Sequence, residues 1–430
     1  MNKKEYLKIK ETLYTEILDN GLSVYLLPKK GFHKSYVTFS TSLGSIATKI
    51  KDENNIYYDL PKGIAHFLEH KLFEQNNQDV SSKFATNQAR VNAFTQNNRT
   101  TYMFSCTANL ETNIELLLNF VQNPLFTDEG VEKEKDIIIQ EIRMYQDDPN
   151  TIAYMNLIKN MFETHPIKYD ILGTEESLKE INVDILKKAH QTFYNPKNMI
   201  LFITGNFDPK KLIKFIKKNQ EKITFQNQYI DASNISNQTN IVYKKESNMN
   251  LEISIPNFLL GIKQSPTNFK EENIMKKELT MAILIDLIIG KSSQNYRSLI
   301  NKGLINDSFG IDITFEESYG FFLIGSETYS PVELKTTLKE IFLNLETFEI
   351  KETEFNRTKK QIIGSFIQAL NSLEYIANQF TKYYYIGSSL FNILDVADSI
   401  TINDLNDSKK LLLNEDSYTY ITVYPKKNDA

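Results

Sequence analysis

The stretch GIAHFLEHKLFE, residues 63–74, contains the most informative pattern in the chain. Its apolar residues recur at helical spacing without an internal glycine or proline, and this predicts a helix over Ile64–Phe73. On such a helix His66 and His70 are four residues apart and lie on one face. Glu69 is three residues from His66 and adjacent to His70, so we expect its carboxylate beside the same point.

Two imidazoles one helical turn apart suit tetrahedral zinc. A carboxylate beside the metal can accept a proton from water and later protonate a leaving amine. The order His-x-x-Glu-His is the reverse of the commoner zinc-protease motif. A five-residue match also occurs by chance, on helices whose His and Glu residues form a solvated face. The motif predicts one Zn²⁺ per chain, with His66 and His70 as ligands and Glu69 as the general base.

Zinc needs a third protein ligand, and the predicted helix over residues 130–145 offers two candidates. Glu134 and Glu141 are seven residues apart, two turns along one face. The isoleucines at 137–139 are expected to bury this part of the helix. We therefore expect Glu141 to reach the metal and Glu134 to orient a histidine or the water from the second shell.

A weak internal repeat indicates that the chain contains two related halves. VEKEKDIIIQEI at 131–142 and FNRTKKQIIGSF at 355–366 both place charges before an isoleucine run. In this alignment Thr358 replaces Glu134, and Ser365 replaces Glu141. All five histidines precede residue 191. If the halves share a fold, only the first can contain a histidine metal site.

The composition is that of a two-domain globular protein. The chain has 430 residues, 41% hydrophobic and 24% charged, which argues for a folded protein of more than one domain. The Asn/Ser/Gln-rich stretch 226–250 is the best linker candidate, although part of it fits an edge strand. We therefore predict an N-terminal catalytic zinc domain over 1–225 and a C-terminal non-catalytic domain over 251–430.

Charge and cysteine content exclude several classes of protein. The formal net charge of −5 provides no global basic field for nucleic acid. With Cys106 as the single cysteine, neither an intrachain disulfide nor a site with two thiolates can form. We find no signal-peptide core and no apolar run long enough for a bilayer span. We expect a cytoplasmic protein that does not bind nucleic acid or membrane.

The sequence resembles the insulinase/pitrilysin/mitochondrial-processing-peptidase family of inverzincin zinc metallopeptidases. The resemblance is firm over residues 20–215 and weaker beyond, and KLFE at 71–74 is most similar to the bacterial YmfH-type branch. The blocks that match are GIAHFLEH at 63–70, Glu134 with Glu141, VNAFT at 91–95, LGT at 172–174, YNPKNM at 194–199 and GNFDP at 205–209.

The resemblance implies an α+β fold of two homologous α/β halves. Each half would be a mainly antiparallel sheet with helices packed on it, and together they would form a clam-like chamber. It implies the same zinc ligands and base, and a peptide bound as an added strand. The pairing strand would contain Asn92, Ala93, Phe94 and Thr95. The residues alone also fit an ordinary core strand that ends in a turn at Asn92.

The second half departs from the family pattern. Members usually place an Arg and a Tyr there that reach the substrate. In SSQNYRSLINKGLINDSF at 292–309, Tyr296 and Arg297 are the candidates, but they precede the usual pair. The expected later Tyr position falls within 306–309, where no tyrosine occurs. The two residues equally fit a packing tyrosine and a surface arginine.

The leading hypothesis is a zinc metalloendopeptidase, a processing-peptidase-like hydrolase that cuts peptides or unfolded polypeptide segments. The alternative is a non-catalytic or partner-dependent peptide-binding or assembly subunit of a heterodimer. A zinc hydrolase of a non-peptide small molecule is a third possibility. Relatives of this branch often occur beside a homologue without the motif, so we expect a dimer, either with such a homologue or with a second copy.

Overall fold

A computed structural model describes residues 1–51, 55–75, 78–223, 239–265 and 271–426. The strands are β1 (Asn2–Tyr6), β2 (Glu11–Ile17), β3 (Ser23–Pro28), β4 (Ser35–Thr41), β5 (Lys49–Lys51), β6 (Tyr57–Asp59), β7 (Glu74–Gln75), β8 (Gln78–Asp79), β9 (Ala89–Thr95), β10 (Thr100–Cys106), β11 (Met199–Gly205), β12 (Glu246–Leu251), β13 (Asn257–Gln264), β14 (Gly310–Phe315), β15 (Gly320–Glu327) and β16 (Tyr418–Pro425).

The helices lie between these strands, singly or in runs. They are α1 (Ile64–Phe73), α2 (Ser81–Thr86), α3 (Leu110–Gln122), α4 (Asp128–Gln146), α5 (Pro149–Met161), α6 (Glu175–Lys179), α7 (Val183–Phe193), α8 (Pro209–Gln220), α9 (Glu271–Ile289), α10 (Gln294–Asn301), α11 (Pro331–Leu343), α12 (Glu352–Ala369), α13 (Leu373–Tyr385), α14 (Ile393–Ser399) and α15 (Ile402–Leu411). Within the described ranges, no helix is both long enough and apolar enough to cross a bilayer.

The chain forms two compact units, each built around one sheet. The first sheet has the order β1-β2-β3-β11-β4-β10-β9, and all its pairs are antiparallel except β3 with β11. Strands β4 and β11 are buried over their whole length, as expected where both faces of a sheet are covered. One face carries the core that contains Phe39, Phe104 and Leu201 together with α1, α3 and α7.

The second sheet repeats the topology of the first. Its order is β12-β16-β13-β15-β14, and again one pair, β12 with β16, is parallel. This order corresponds strand by strand to β3-β11-β4-β10-β9, and the corresponding strands follow each other identically along the chain. Helix α12 holds the same place in this series as α4, which agrees with the aligned segments at 131–142 and 355–366. The predicted α+β fold with two related halves is confirmed.

Each unit includes one helix that belongs, by sequence, to the other half. Helix α13 packs on β4 and β11 of the first sheet, where Phe380 stacks on Phe202 at a ring distance of 4.4 Å. Helix α5 packs on β12, β13 and β16 of the second sheet. Gly261 allows this approach, because a Cβ there would lie 3.1 Å from both Leu157 and Met161. The predicted division of the chain at 225 and 251 does not include this exchange of α5 and α13 between the two halves of the sequence.

The predicted linker at 226–250 lies partly outside the described residues, which omit 224–238. Its last five residues belong to β12, which is an edge strand of the second sheet. The domain boundaries themselves stay a prediction.

His190 on α7 is a structural residue of the first unit. It is buried, its Nε2–H donates to the Val121 carbonyl at 2.8 Å, and its ring stacks on Tyr194 at 4.6 Å. Burial lowers the pKa of His190 to about 4, although the bond to the carbonyl opposes the shift. The folded protein therefore keeps this imidazole neutral.

We expect acid to weaken the first unit through His190. The unfolded chain binds a proton at this residue near pH 6.5 and the folded chain does so only near pH 4, so stability is lost as the pH falls between these values. This single group removes about 2 kcal/mol of unfolding free energy between pH 7.5 and pH 5. The amide of His190→Gln can still donate to Val121. Urea unfolding of this variant should show a fall in unfolding free energy between pH 7.5 and pH 5 that is smaller than in the wild type by that amount. An equal loss in both proteins would contradict the assignment.

Candidate metal centre

Helix α1 begins at a position that only glycine fits. Gly63 has φ +88°, and a Cβ on it would lie 2.3 Å from the carbonyl oxygen of Leu172. The Oγ of Ser177 also donates to the Lys62 carbonyl at 2.8 Å. The loop before α6 therefore holds the first turn of α1 in place.

The rest of α1 is fixed by burial. Phe67, Leu68 and Leu72 are in the core of the first unit, and the helix is buried on most of its surface. A helix of ten residues is marginal by itself in water, so packing rather than propensity keeps it folded. The side chains of His66, Glu69 and His70 are consequently carried on a rigid support.

Helix α4 brings the second part of the centre. Ile138 is fully buried and Ile142 nearly so, whereas Ile137 is 46% exposed. The isoleucine run therefore buries one face of α4 against the core, and Ile137 lies on the exposed face. The side chains of Glu134, 9% exposed, and Glu141, 24% exposed, both point from α4 toward α1.

The predicted ligands meet between the two helices. The Nε2 atoms of His66 and His70 each lie 3.7 Å from Oε2 of Glu141. One donor atom from each of these three residues lies within 4.8 Å of the others. Nδ1 of His70 is 3.0 Å from Oε1 of Glu134, so this glutamate orients the ring of His70 from behind. These four predicted residues of α1 and α4 thus form one cluster.

The donor set fits a zinc ion. Tetrahedral zinc with bonds of about 2.0–2.1 Å places its ligand atoms about 3.3–3.4 Å apart, close to the two nitrogen–oxygen distances here. Two imidazoles and a carboxylate form a usual three-ligand set that leaves a position for water. Glu134 supplies the outer carboxylate that a ligating histidine usually has. Nδ1 of His66 is buried and, among the described residues, has no hydrogen-bond partner.

Burial and local charge make the cluster electrostatically receptive to a cation. Burial, and then the neighbouring His70, lower the pKa of His66 to about 3, so its imidazole is neutral as a ligand must be. Burial opposes protonation of His70, but Glu134, Glu141 and Glu69 outweigh it and raise its pKa. Burial raises the pKa of Glu141, and the charge of Asp170 adds to this effect although His70 opposes it.

Glu69 is also buried, and its carboxylate is held from strand β9. Oγ1 of Thr95 donates to Oε2 of Glu69 at 2.5 Å. Burial raises the pKa of Glu69, whereas the bond from Thr95 lowers it. Behind the carboxylate, the hydroxyls of Tyr102 and Tyr194 pair at 2.8 Å in the core, and burial raises the pKa of both.

The predicted substrate strand is the edge strand β9. Among the described strands it pairs only with β10, with Thr95 opposite Thr100 and Ala93 opposite Tyr102. The amide of Gln96 donates to the Arg99 carbonyl, which marks a hydrogen-bonded pair. By the antiparallel alternation, residues 91, 93 and 95 then direct their N–H and C=O groups to the open edge. Ordinary core strands have no such free groups.

A cavity of about 510 Å³ connects this strand to the cluster. Glu69, His70 and Glu134 line one part of it, and Asn92 and Ala93 line another. A ligand in this cavity could contact the strand and the candidate base together.

The second unit has no equivalent cluster at the aligned positions. Thr358 on α12, which corresponds to Glu134, donates to Asp286 on α9 at 3.3 Å. Tyr296 and Arg297 lie on α10 of this unit. Tyr296 packs edge-on against Phe309 at 5.6 Å, and the guanidinium of Arg297 donates to the Ser292 carbonyl at 2.9 Å. A role for this pair at the substrate stays a prediction.

Two residues beside the cluster were not predicted. Asp170 contributes charge near Glu141 from a loop, and no sequence spacing indicates it. Lys71 is buried, forms an ion pair with Glu74 at 2.5 Å, and lies 2.5 Å from where a Cβ on Gly130 would be. The spacing of three residues between Lys71 and Glu74 can be detected in the sequence. The contact of Lys71 with the first turn of α4 cannot.

The fold and this cluster are those of a zinc-peptidase-like protein, and sequence comparison agrees. Residues 57–175 match the family model for insulinase (peptidase family M16), and residues 180–362 match that for the peptidase M16 inactive domain. The chain belongs to the insulinase family of M16 peptidases.

The family assignment is supported by relatives of nearly equal length. The chain is 42% identical over 424 residues to YmfH of Bacillus subtilis (strain 168), which is described as a zinc protease, covering 98% of this chain and 99% of that protein. The predicted YmfH-type branch is thereby confirmed. An M16-like peptidase of Alicyclobacillus acidocaldarius has a crystal structure that superposes with a TM-score of 0.92 at 31% identity, over 97% and 99% of the two chains. A Helicobacter pylori protease shares the fold at 19% identity, with a TM-score of 0.78 and coverage of 96% and 99%.

We expect Glu141→Gln to weaken zinc retention. The substitution keeps the side-chain shape but removes the anionic oxygen. Loss of a residue that only supports a ligand usually lowers metal affinity about 10–100-fold, and loss of a ligand should lower zinc affinity at least as much. Elemental analysis after dialysis against a competing chelator measures this. The matched control is Glu132→Gln, the same charge change on the same helix at a side chain that is 71% exposed. Equal zinc content in the two variants would exclude Glu141 as a ligand.

Proposed function

We propose that the protein is a zinc-dependent metalloendopeptidase that hydrolyses peptides or unfolded polypeptide segments. The observation that carries the proposal is the position of Glu69. Its carboxylate borders the same cavity as His70 and the open edge strand β9. A site that only stores zinc has no use for a buried carboxylate directed at a substrate cavity.

In this proposal His66, His70 and Glu141 hold the zinc ion, and Glu134 keeps the ring of His70 in place. Bound zinc supplies Lewis acidity to the attacking water and to the scissile carbonyl. Glu69 takes the proton from the attacking water at its free oxygen, Oε1. It later gives that proton to the amine that leaves, so its charge is restored after each turnover.

The edge strand accounts for a preference for polypeptide. The outward N–H and C=O groups of residues 91, 93 and 95 offer hydrogen bonds to any extended backbone. Because these bonds involve no side chain of the substrate, they favour extended or unfolded segments without demanding a sequence. A small molecule without a peptide backbone would leave them unused.

A partner-dependent or non-catalytic subunit remains the second candidate. The match of residues 180–362 to an inactive domain favours it, since this part of the chain contributes none of the clustered ligands. The predicted dimer, with a second copy or with a motif-less homologue, and the predicted cytoplasmic location rest on the sequence alone and stay predictions.

Exchange of Glu69 for Gln should strongly slow cleavage while zinc is kept. The amide preserves size but cannot accept a proton from water, so the rate constant for cleavage should fall by about 10²–10⁴-fold. The measurement is turnover of a fluorogenic peptide library together with zinc content. Glu132→Gln again serves as the control and should behave as wild type. A cleavage rate in Glu69→Gln close to that of the wild type would contradict the role of this residue.

Wild-type protein that holds one zinc and cleaves nothing would favour the subunit alternative. The test would then be repeated with added lysate fractions from the source cells, because a partner-dependent enzyme gains activity and a binding subunit does not.

Proline at position 93 should weaken substrate binding. Ala93→Pro removes an outward N–H, and edge strands tolerate proline where that group faces away from the sheet. We expect KM to rise, by about 5–10-fold for one lost hydrogen bond, with kcat changed less. Ala93→Ser, which keeps the N–H, is the matched control. Equal KM values in the two variants would show that substrate does not pair with β9.

A further inference from the structure

Thr95 is in the predicted substrate strand, but its side chain contacts the candidate base. Its Oγ1 lies 2.5 Å from Oε2 of Glu69. The main chain of Thr95 faces the open edge of β9, whereas its hydroxyl faces α1. One residue thus contacts both the strand that would hold a peptide and the carboxylate that would act on it.

The hydroxyl of Thr95 donates its proton to Glu69 and not to Thr100. Thr95 is opposite Thr100 in the β9–β10 pair, and their Oγ1 atoms are 3.3 Å apart. Oγ1 of Thr100 donates its single proton to the Leu43 carbonyl at 2.8 Å. A hydroxyl has one proton to give, so Thr95 donates to its shorter contact, the carboxylate. Thr100 and Leu43 together fix the position of the donor.

This bond determines which oxygen of Glu69 is free. Oε2 is occupied by Thr95, and Oε1 is left for a water in the cavity. Oε2 can accept the bond from Thr95 whether or not Oε1 carries a proton, so the carboxyl group keeps its orientation through a proton transfer. A charge-assisted bond to a buried carboxylate is among the stronger hydrogen bonds in proteins.

We propose that Thr95 is a positioning residue, whose hydroxyl ties the Glu69 carboxylate to strand β9 so that a bound peptide and the base keep a fixed mutual position. The proposal rests on the peptidase function proposed above. Its consequence is a division within one residue: the main chain of Thr95 serves substrate binding, and its side chain serves the chemical step through Glu69.

Two substitutions separate these roles. Thr95→Val has nearly the same shape without the hydroxyl, and Thr95→Ser keeps the hydroxyl without the methyl. We expect kcat of Thr95→Val to fall about 10- to 100-fold with KM within about twofold of wild type. Thr95→Ser should recover most of the rate. Zinc content should be unchanged in both, because Thr95 does not contact the ligands of the predicted ion.

A second background tests whether Thr95 acts through Glu69. In Glu69→Gln the base is absent, so adding Thr95→Val should not lower residual cleavage further. Glu69→Gln and the double variant should bind a labelled form of a cleaved peptide with the same Kd, measured by fluorescence anisotropy. This binding measurement does not depend on turnover.

Several results would overturn the proposal. These are wild-type kcat in Thr95→Val, a rate in Thr95→Ser as low as in Thr95→Val, and a weaker Kd in the double variant than in Glu69→Gln. If Thr95→Val does not fold, as judged by its thermal unfolding, Thr95→Ala is the second variant without a hydroxyl.

The failure of the peptidase function itself has a different signature. Wild-type protein would then hold zinc and not cleave. A crystal structure of Thr95→Val still tests the positioning role in that case. A rotated Glu69 carboxylate would support the proposal, and a carboxylate that keeps its wild-type orientation would overturn it.

Discussion

The burial of helix α1 in the core of the first unit is the constraint on which the candidate site depends. A helix of ten residues is marginal by itself, so its stability comes from Phe67, Leu68 and Leu72, which pack into the core. Gly63 allows the loop at Leu172 to close on its first turn. The polar side chains of this helix are thereby placed in a partly buried environment. That placement has a cost, because buried carboxylates and imidazoles lose hydration.

The structure offsets this cost by grouping the polar side chains. His70 pairs with Glu134, Glu69 accepts a bond from Thr95, and both histidines face Glu141. A divalent cation among these groups would further compensate the carboxylates, which explains why residues so unfavourable to bury are found together. The second sheet has the same strand order, but the second half of the sequence contains Thr358 and Ser365 at the aligned positions and has no histidine after residue 190. This sheet therefore has the same topology but lacks the metal-ligand side chains.

The exchange of helices between the halves affects how the chain can fold. Helix α13 completes the first unit and helix α5 completes the second, so neither half of the sequence contains its whole unit. Tyr25 and Phe202 of the first sheet would lose their contacts with Phe380 if the C-terminal half were removed. The first unit therefore depends on a segment more than 140 residues beyond its last strand, and its stability is coupled to the folding of the whole chain.

The sequence by itself determined the elements and the donor set. The helix over Ile64–Phe73 was predicted with its observed bounds, because hydrophobic periodicity and turn residues are local signals. His66, Glu69 and His70 were found from spacing on one helix, and Glu134 and Glu141 from spacing on another.

Only the tertiary structure decided what lies between these elements. The bond from Thr95 to Glu69 and the charge of Asp170 near Glu141 join residues 26 and 29 positions apart through different elements. The edge of β9 is open because no other described strand pairs with it there, and helix α13 joins the first unit from far along the chain. Sequence spacing reports which residues share an element, whereas contacts between elements depend on how their apolar faces pack, and that is settled only when the whole core forms.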